Sequence, residues 1–383
     1  MTGFIGFPVF PLKIMDTNKS FYVDATNSGS DFNAGDSVSS PWETLTKAFT
    51  ELRKYYLLHG VIASIILLDG EHVYSADVSI EHPQGSQIVI KGQSKYDKSF
   101  TAASQSGSAG SYALTLTCSD TSNVEVGDFV IIDSASGGTN PEQAMGCHEV
   151  ATVNTNTSIV VTSKNLGSLA PSGAVSSSGH VLKSIVNMGS NKLTVSGFGK
   201  IEDLVLTGSG TIVNGEDCVL QLSDIGIDGG GTAISLVRSK VSGNLVCSGA
   251  TTSIKTVMCE GSLEGSVISG TSSAALIAQL SNLVLDNAVA VGCSNGILAD
   301  MGSSIHMQSG KSIGNISNGF YANNGSQGYL VLCKFQNNNV GVSANACSSL
   351  QVGLATISGN TTADASPTIG TVGNNESLIT NTT

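Results

Sequence analysis

The chain has 383 residues, of which only 12% are charged while 45 are Gly, far from the roughly 25% charged content of ordinary soluble domains. Its formal net charge of −12 repels phosphate backbones and anionic bilayers, which argues against nucleic acid as a partner. No run of about 18 apolar residues is present to insert in a membrane, so such a chain must bury its surface by stacking elements on one another.

The opening "MTGFIGFPVFPLKIM" lacks the basic flank and small-residue cleavage site of a secretory signal, and its two prolines interrupt an apolar helix, so it reads as a mature N-terminus. Residues 1–20 carry Phe4, Ile5, Phe7, Val9, Phe10 and Leu12, a dense apolar set. Ser40-Pro41-Trp42-Glu43 has the form of a capping box with Pro in the first turn, which predicts a helix starting there. Trp42, Leu45, Phe49, Leu52 and Tyr56 then recur at three- and four-residue steps as one apolar stripe, predicted to cap the end of a strand stack. Two apolar, β-branched runs, "VIASIILLDG" and "GSQIVIKG", follow as strands bounded by Gly and by Pro83-Gln84-Gly85.

From 105 to 186 the texture changes to longer alternating strands, "ALTLTC", "DFVIID" and "SIVVTS", the pattern of an inserted antiparallel β-rich module. From 187 to 360 there are only short apolar triplets separated by Gly, Asn and Ser. Gly296-Ile297-Leu298-Ala299, Gly319-Phe320-Tyr321-Ala322 and Gly341-Val342-Ser343-Ala344 repeat at steps of 23 and 22 residues, and Ser326 and Ser348 are also 22 apart. Asp203-Leu204-Val205-Leu206 aligns with Asp224-Ile225-Gly226-Ile227 at a step of 21, and Asn282-Leu283-Val284-Leu285 has the same shape. A period of this length without helices marks a β-solenoid, whose turns lie about 4.8 Å apart and stack like on like. Ile313, Phe335 and Ile357, and Ala299, Ala322 and Ala344, are the predicted interior columns. Gly296, Gly319 and Gly341 fit corners requiring positive φ or close backbone approach. The pattern fades near Asn360, leaving 361–383 as a tail.

The stretch "FYVDATNSGSDFNAGDSVSSPWETLTKAF", followed by "SIILLDGEHVY" and "QIVIKG", resembles the entry into right-handed parallel β-helix domains of the pectate-lyase-like superfold found in bacteriophage tail spikes and tail fibres. The likeness covers residues 21–92 in detail and 187–360 by pattern, so residues 21–104 read as the β-helix entry and first turns. The segment "VEVGDFVIIDSASGGTNPEQAMGCHEVATVNTNTSIVVTS" is similar to the strand-rich insertions of phage spike proteins. The resemblance implies a structural virion protein of a phage tail, made in the host cytoplasm, homotrimeric, docked on a tail or baseplate adaptor protein by its N-terminus and facing a host surface glycan or receptor. Residues 1–20 would supply the docking segment.

The same scaffold hosts polysaccharide depolymerases, which is the alternative reading. A hydrolase needs two carboxyl groups roughly 5–9.5 Å apart. Asp203 and Asp224 fall on successive turns, and Asp228 and Asp286 each follow an apolar triplet. The plainer account makes Asp203 and Asp224 turn-forming corner residues and leaves Asp228 and Asp286 solvated. Tyr321 and Tyr329 are the candidate sugar contacts, with a subunit interface as the competing use. A calcium-dependent lyase needs clustered carboxylates and a base, yet the chain has two Arg, Arg53 and Arg238, with no acidic cluster beside them in sequence. The six His, with His72 and His82 the nearest pair, read as solvated, and no metal or cofactor is called for. Eight scattered Cys without a CxxC pair read as buried free thiols.

Overall fold

The computed structural model describes residues 13–26, 28–372 and 376–382, so Phe4, Ile5, Phe7, Val9, Phe10 and Leu12 lie outside the described residues. The short apolar triplets are too brief to form an independent sheet, and each finds its partners one turn above and below. One turn is typified by Ala274–Gln279, Asn282–Val284 and Val289–Val291, after which Asn295–Asp300 re-enters the first position one level on. These three positions are termed here the back, front and docking faces. Back-face strands form a 10-stranded sheet, while the front and docking faces share a 20-stranded one, with parallel pairing between turns. The chain is a parallel β-helix, and its pairing runs past Asn360: Ala363–Ser366 joins Val340–Ala344, and Leu378–Thr382 joins Ser349–Gly353.

Alternation along each strand sends every second side chain into the coil, where it meets its counterpart. Ala299, Ala322 and Ala344 stack as predicted, beside Ile297, Phe320 and Val342. The other predicted column is shifted at its start. Phe335 pairs with Ile357 above and Ser312 below, whereas Ile313 pairs with Val291 and Gln336 and points out of the coil. This turn holds one residue more than a fixed step of 22 allows, and a one-residue slip moves a side chain to the opposite face. Gly296, Gly319 and Gly341 lie inside strands, and close approach is what they serve, since a Cβ on Gly319 would meet Asn338 Nδ2 at 2.8 Å.

Buried corners are held by side-chain ladders. The amides of Ser281, Ser303 and Ser326 each donate to the hydroxyl one turn on, Ser303, Ser326 and Ser348, at 3.1 Å. A second ladder uses amides: Cys293 N donates to Asn315 Oδ1, Asn315 N to Asn338 Oδ1 and Asn338 N to Asn360 Oδ1, at 2.9–3.0 Å. Each side chain thus satisfies an inward-facing N–H that no strand partner reaches.

The N-proximal helix is shorter and later than predicted. It spans Leu45–Leu52, and Thr44 rather than Ser40 is the N-cap, its hydroxyl accepting from Lys47 N at 3.0 Å. Asp31 accepts from the amides of both Glu43 and Thr44 at 3.1 Å, which holds the segment before the helix in extended form. Trp42 therefore precedes the helix, bridges Val23 in parallel and stacks on Phe21 at 5.2 Å. Tyr56 is half exposed on the strand Tyr55–Leu57, so the buried stripe is Leu45, Ala48, Phe49 and Leu52.

The antiparallel sheet interrupts the second turn, between the front-face strand Ile88–Gly92 and the docking-face strand Ser184–Asn187. Its seven strands run from Lys95–Phe100 to Ser176–Leu182. It folds back over the docking face, where Phe129, Ile131 and Cys147 share one buried cluster with Val205, Val246, Val267, Val289 and Val291 of the coil. A strap, residues 164–169, continues along the next corner, with Leu166 N donating to Gly292 O at 2.8 Å. That corner is Gly229, Gly249, Gly270, Gly292 and Gly314 on successive turns, all at positive φ. At Gly292 a Cβ would collide with Asn165, and at Gly270 with the Lys164 carbonyl, so both the left-handed backbone and the close approach require Gly.

His72, His82, His148 and His180 are buried rather than solvated, because each sits at a turn or sheet junction where a ring nitrogen meets a backbone group or the ring fills the interface. All eight Cys are free and seven are buried; Cys347 is exposed because it stands in the turn before Ser349–Gly353.

Candidate functional site

Folding the module over the coil leaves an open groove of about 710 Å³ between them. Asp69, Glu71, Thr207 and Asp228 line it from the coil, and Glu125, Asp128, Glu149 and Lys183 from the module. Asp228 extends the outward column of Asn187 and Thr207 and reaches the point where the module closes over the coil. Only 8% of it is exposed, contrary to the solvated placement expected from sequence, because the module roofs its turn. Burial raises its pKa, against the pull of Lys164, whose Nζ lies 2.6 Å from Asp228 Oδ2. Asp128 is likewise raised by burial, although it accepts from Glu125 N and faces Lys183 at 3.5 Å. Burial by itself would depress Lys183, but Asp128 and Glu125 outweigh it and hold the ammonium charged. The groove therefore offers a row of hydrogen-bond acceptors with two carboxyl groups displaced toward neutrality, each tied to a cation.

Asp203 and Asp224 come together elsewhere, at the corner where the coil passes toward the module, and both hold left-handed backbone. Lys95 Nζ bridges them, 2.6 Å from Asp224 and 3.4 Å from Asp203, while Lys91 reaches Asp203 at 3.3 Å. Burial would raise Asp224, but hydrogen bonds from Lys95 and Asn244 bring its pKa below the ordinary value. A carboxylate held ionised by a shared ammonium is a poor proton donor. These two side chains tie the module's first strand to the coil.

Asp286 stands apart from Asp228. Its Oδ1 accepts from Gln308 N at 2.7 Å and contacts His306 Nδ1 at 3.0 Å. His306 and Tyr329, in register on the front face, stack with centroids 5.3 Å apart. One face of the Tyr329 ring is thus taken by His306, so it is not an open platform. Tyr321 lines a separate hollow on the back face. Among the described residues no group of three or more His, Cys, Asp or Glu is arranged to hold a metal, and no helix is long and apolar enough to cross a membrane.

The sequence reading missed Glu125, Asp128, Glu149, Lys164 and Lys183. Nothing local marks them, since "VEVGDFVIID" becomes a groove wall only after the module docks on turns as far along the chain as Asp228, 100 residues after Asp128.

No family model and no curated protein matches the chain. Among solved structures it is similar to XylC in complex with xylose (11% identity, TM-score 0.34), covering 89% of this chain and 66% of that one. It is also similar to pectate lyase Pel9A (12%, TM-score 0.36), covering 91% and 78%. A third likeness is to the Gp54 tailspike of Acinetobacter baumannii bacteriophage AP22 in complex with A. baumannii capsular saccharide (11%, TM-score 0.27), covering 88% and 66%. The chain thus spans 66% of the length of XylC and of Gp54. The coil itself stands on its own strand register.

Proposed function

We propose that the chain is the β-helical rod of a phage tail spike or fibre that recognises a host surface glycan. The observation that carries this is the 710 Å³ groove along the docking face, whose wall of carboxylates, with the hydroxyl of Thr207, offers acceptors to the hydroxyls of a polyhydroxylated chain. The entry motifs at 21–92 and the strand-rich module support the virion assignment. Assembly as a homotrimer and docking on a tail adaptor through residues 1–20 complete the proposal. Adsorption of the purified protein to host cells, and loss of that adsorption after enzymatic stripping of surface glycan, test the reading. Adsorption to stripped cells at the original level would contradict it. Deleting residues 2–12, which spares the strand Lys13–Met15 paired to Tyr55–Leu57, is expected to leave a folded rod that no longer joins the virion; normal incorporation would refute the anchoring role.

The second reading, cleavage of that glycan, is favoured by one feature, the burial that raises both Asp128 and Asp228 in the same groove. In that case one is the protonated acid and the other the base or nucleophile. Reducing ends released from host polysaccharide and abolished by Asp228→Asn would establish cleavage. Release that survives the substitution would remove Asp228 from the chemistry.

A further inference from the structure

The back-face hollow differs in chemistry from the groove. Tyr321 shares its outward column with Leu298 below and with Ser343 and then Ser366 above, so beyond Tyr321 the side chains drop from large to small. The space beyond Tyr321 is consequently not filled by the next two turns. A hollow of about 780 Å³ results, lined by Asn318, Tyr321, Ser343, Asn345, Thr368 and Thr371 among others. Tyr321 is half-buried, and its hydroxyl accepts from Asn345 Nδ2 at 3.4 Å, leaving its own proton to donate. Among the described residues lining it there is no Asp, Glu, Lys or Arg.

We infer that this hollow binds a neutral pyranose unit of a surface glycan, an assignment that rests on the glycan reading above and specifies its chemistry. A pyranose is amphipathic: its C–H face packs on an aromatic ring while its rim of hydroxyls both donates and accepts. Tyr321 supplies the ring and a hydroxyl proton, Asn345 and the hydroxyls of Ser343 and Thr368 can donate and accept, and Asn318 and Thr371, whose protons already go to Asn295, Ser317 and the Thr368 carbonyl, offer acceptors. The volume falls within the roughly 300–1,000 Å³ usual for small-ligand sites. An anionic sugar is best held by Arg or Lys, which offset its lost hydration, and none lines the hollow on a chain of net charge −12. The site therefore selects neutral over uronate-bearing units.

The full chain titrated calorimetrically with neutral gluco-, galacto- and manno-oligosaccharides, and with galacturonate oligomers, tests this. A neutral member is expected to bind, and Ser343→Leu to weaken it by roughly tenfold or more. Leu298 already occupies that column, so Leu at 343 is compatible with the strand, and an unchanged unfolding midpoint verifies it. Tyr321→Ala is expected to show a similar loss. The inference is overturned if uronates bind instead, if Ser343→Leu binds as well as the parent, or if no neutral sugar binds. Cell adsorption is scored separately. A parent that fails to adsorb strikes the host-recognition reading, whereas neutral-sugar binding abolished by Ser343→Leu upholds the hollow as a site.

Discussion

His148 lies wholly buried where the module meets the coil, its Nε2 meeting the Ala144 carbonyl at 3.1 Å. Burial lowers its pKa to about 4, from an ordinary value of 6.5. The unfolded chain therefore binds a proton that the folded chain refuses, and stability is lost as pH falls below 6.5 toward 4. The loss from this residue approaches about 3 kcal/mol at the acid end. Chemical unfolding of the parent and of His148→Gln between pH 7 and 4 checks this: the variant should show the shallower decline, and equal slopes would contradict it. Gly292 is the second decisive residue. Its substitution by Ala strains a positive φ and displaces Asn165 of the strap, with an expected cost of about 1–3 kcal/mol. A parent-like midpoint would show that the strap is not fixed there.

At the level of elements, the corner ladders make a specific demand. Ser326→Ala leaves the Ser303 amide without its acceptor in a buried corner, at an expected cost of about 1–3 kcal/mol, readable as a shift in denaturant midpoint at constant slope. No shift would mean that water reaches that amide. The repeat of Ser326 and Ser348, the Gly-apolar-x-Ala motif and the alanine column were legible in the sequence because a parallel stack places like residues at nearly constant steps. The register of Ile313 was not, because turn length varies and a single added residue inverts which face a side chain takes. The helix start was misplaced for a different reason. Ser40-Pro41-Trp42-Glu43 fits the local capping pattern, but Asp31, twelve residues upstream of Glu43, takes the amides of Glu43 and Thr44 and moves the cap to Thr44.

On the scale of the molecule, the docking face presents outward apolar side chains to the module at Val246, Val267 and Val289, beside a buried polar column of Asp228, Ser248 and Ser269. Lys311 then meets Glu142 at the module's far edge, and Lys334 and Gln336 follow on the next turn. A one-dimensional pattern records this only as apolar triplets, which is why the coil was readable while the groove, built by contacts between distant segments, was not. The same holds for Asp228, which sequence places on a surface and the docked module buries.

The central claim is that successive turns lie in parallel register with Ser304 directly opposite Gln327 on the front face. Replacing both by Cys, with Cys347→Ser to remove the exposed native thiol, tests it by mild oxidation of the folded protein. Opposed positions on adjacent strands fall within the roughly 4.4–6.8 Å Cα range that a disulfide spans, whereas Ser304 with Tyr329 is two residues out of step. An intramolecular disulfide in the Ser304→Cys/Gln327→Cys protein and none in the Ser304→Cys/Tyr329→Cys protein is the predicted result. The reverse preference, or no bond in either, would contradict the coil.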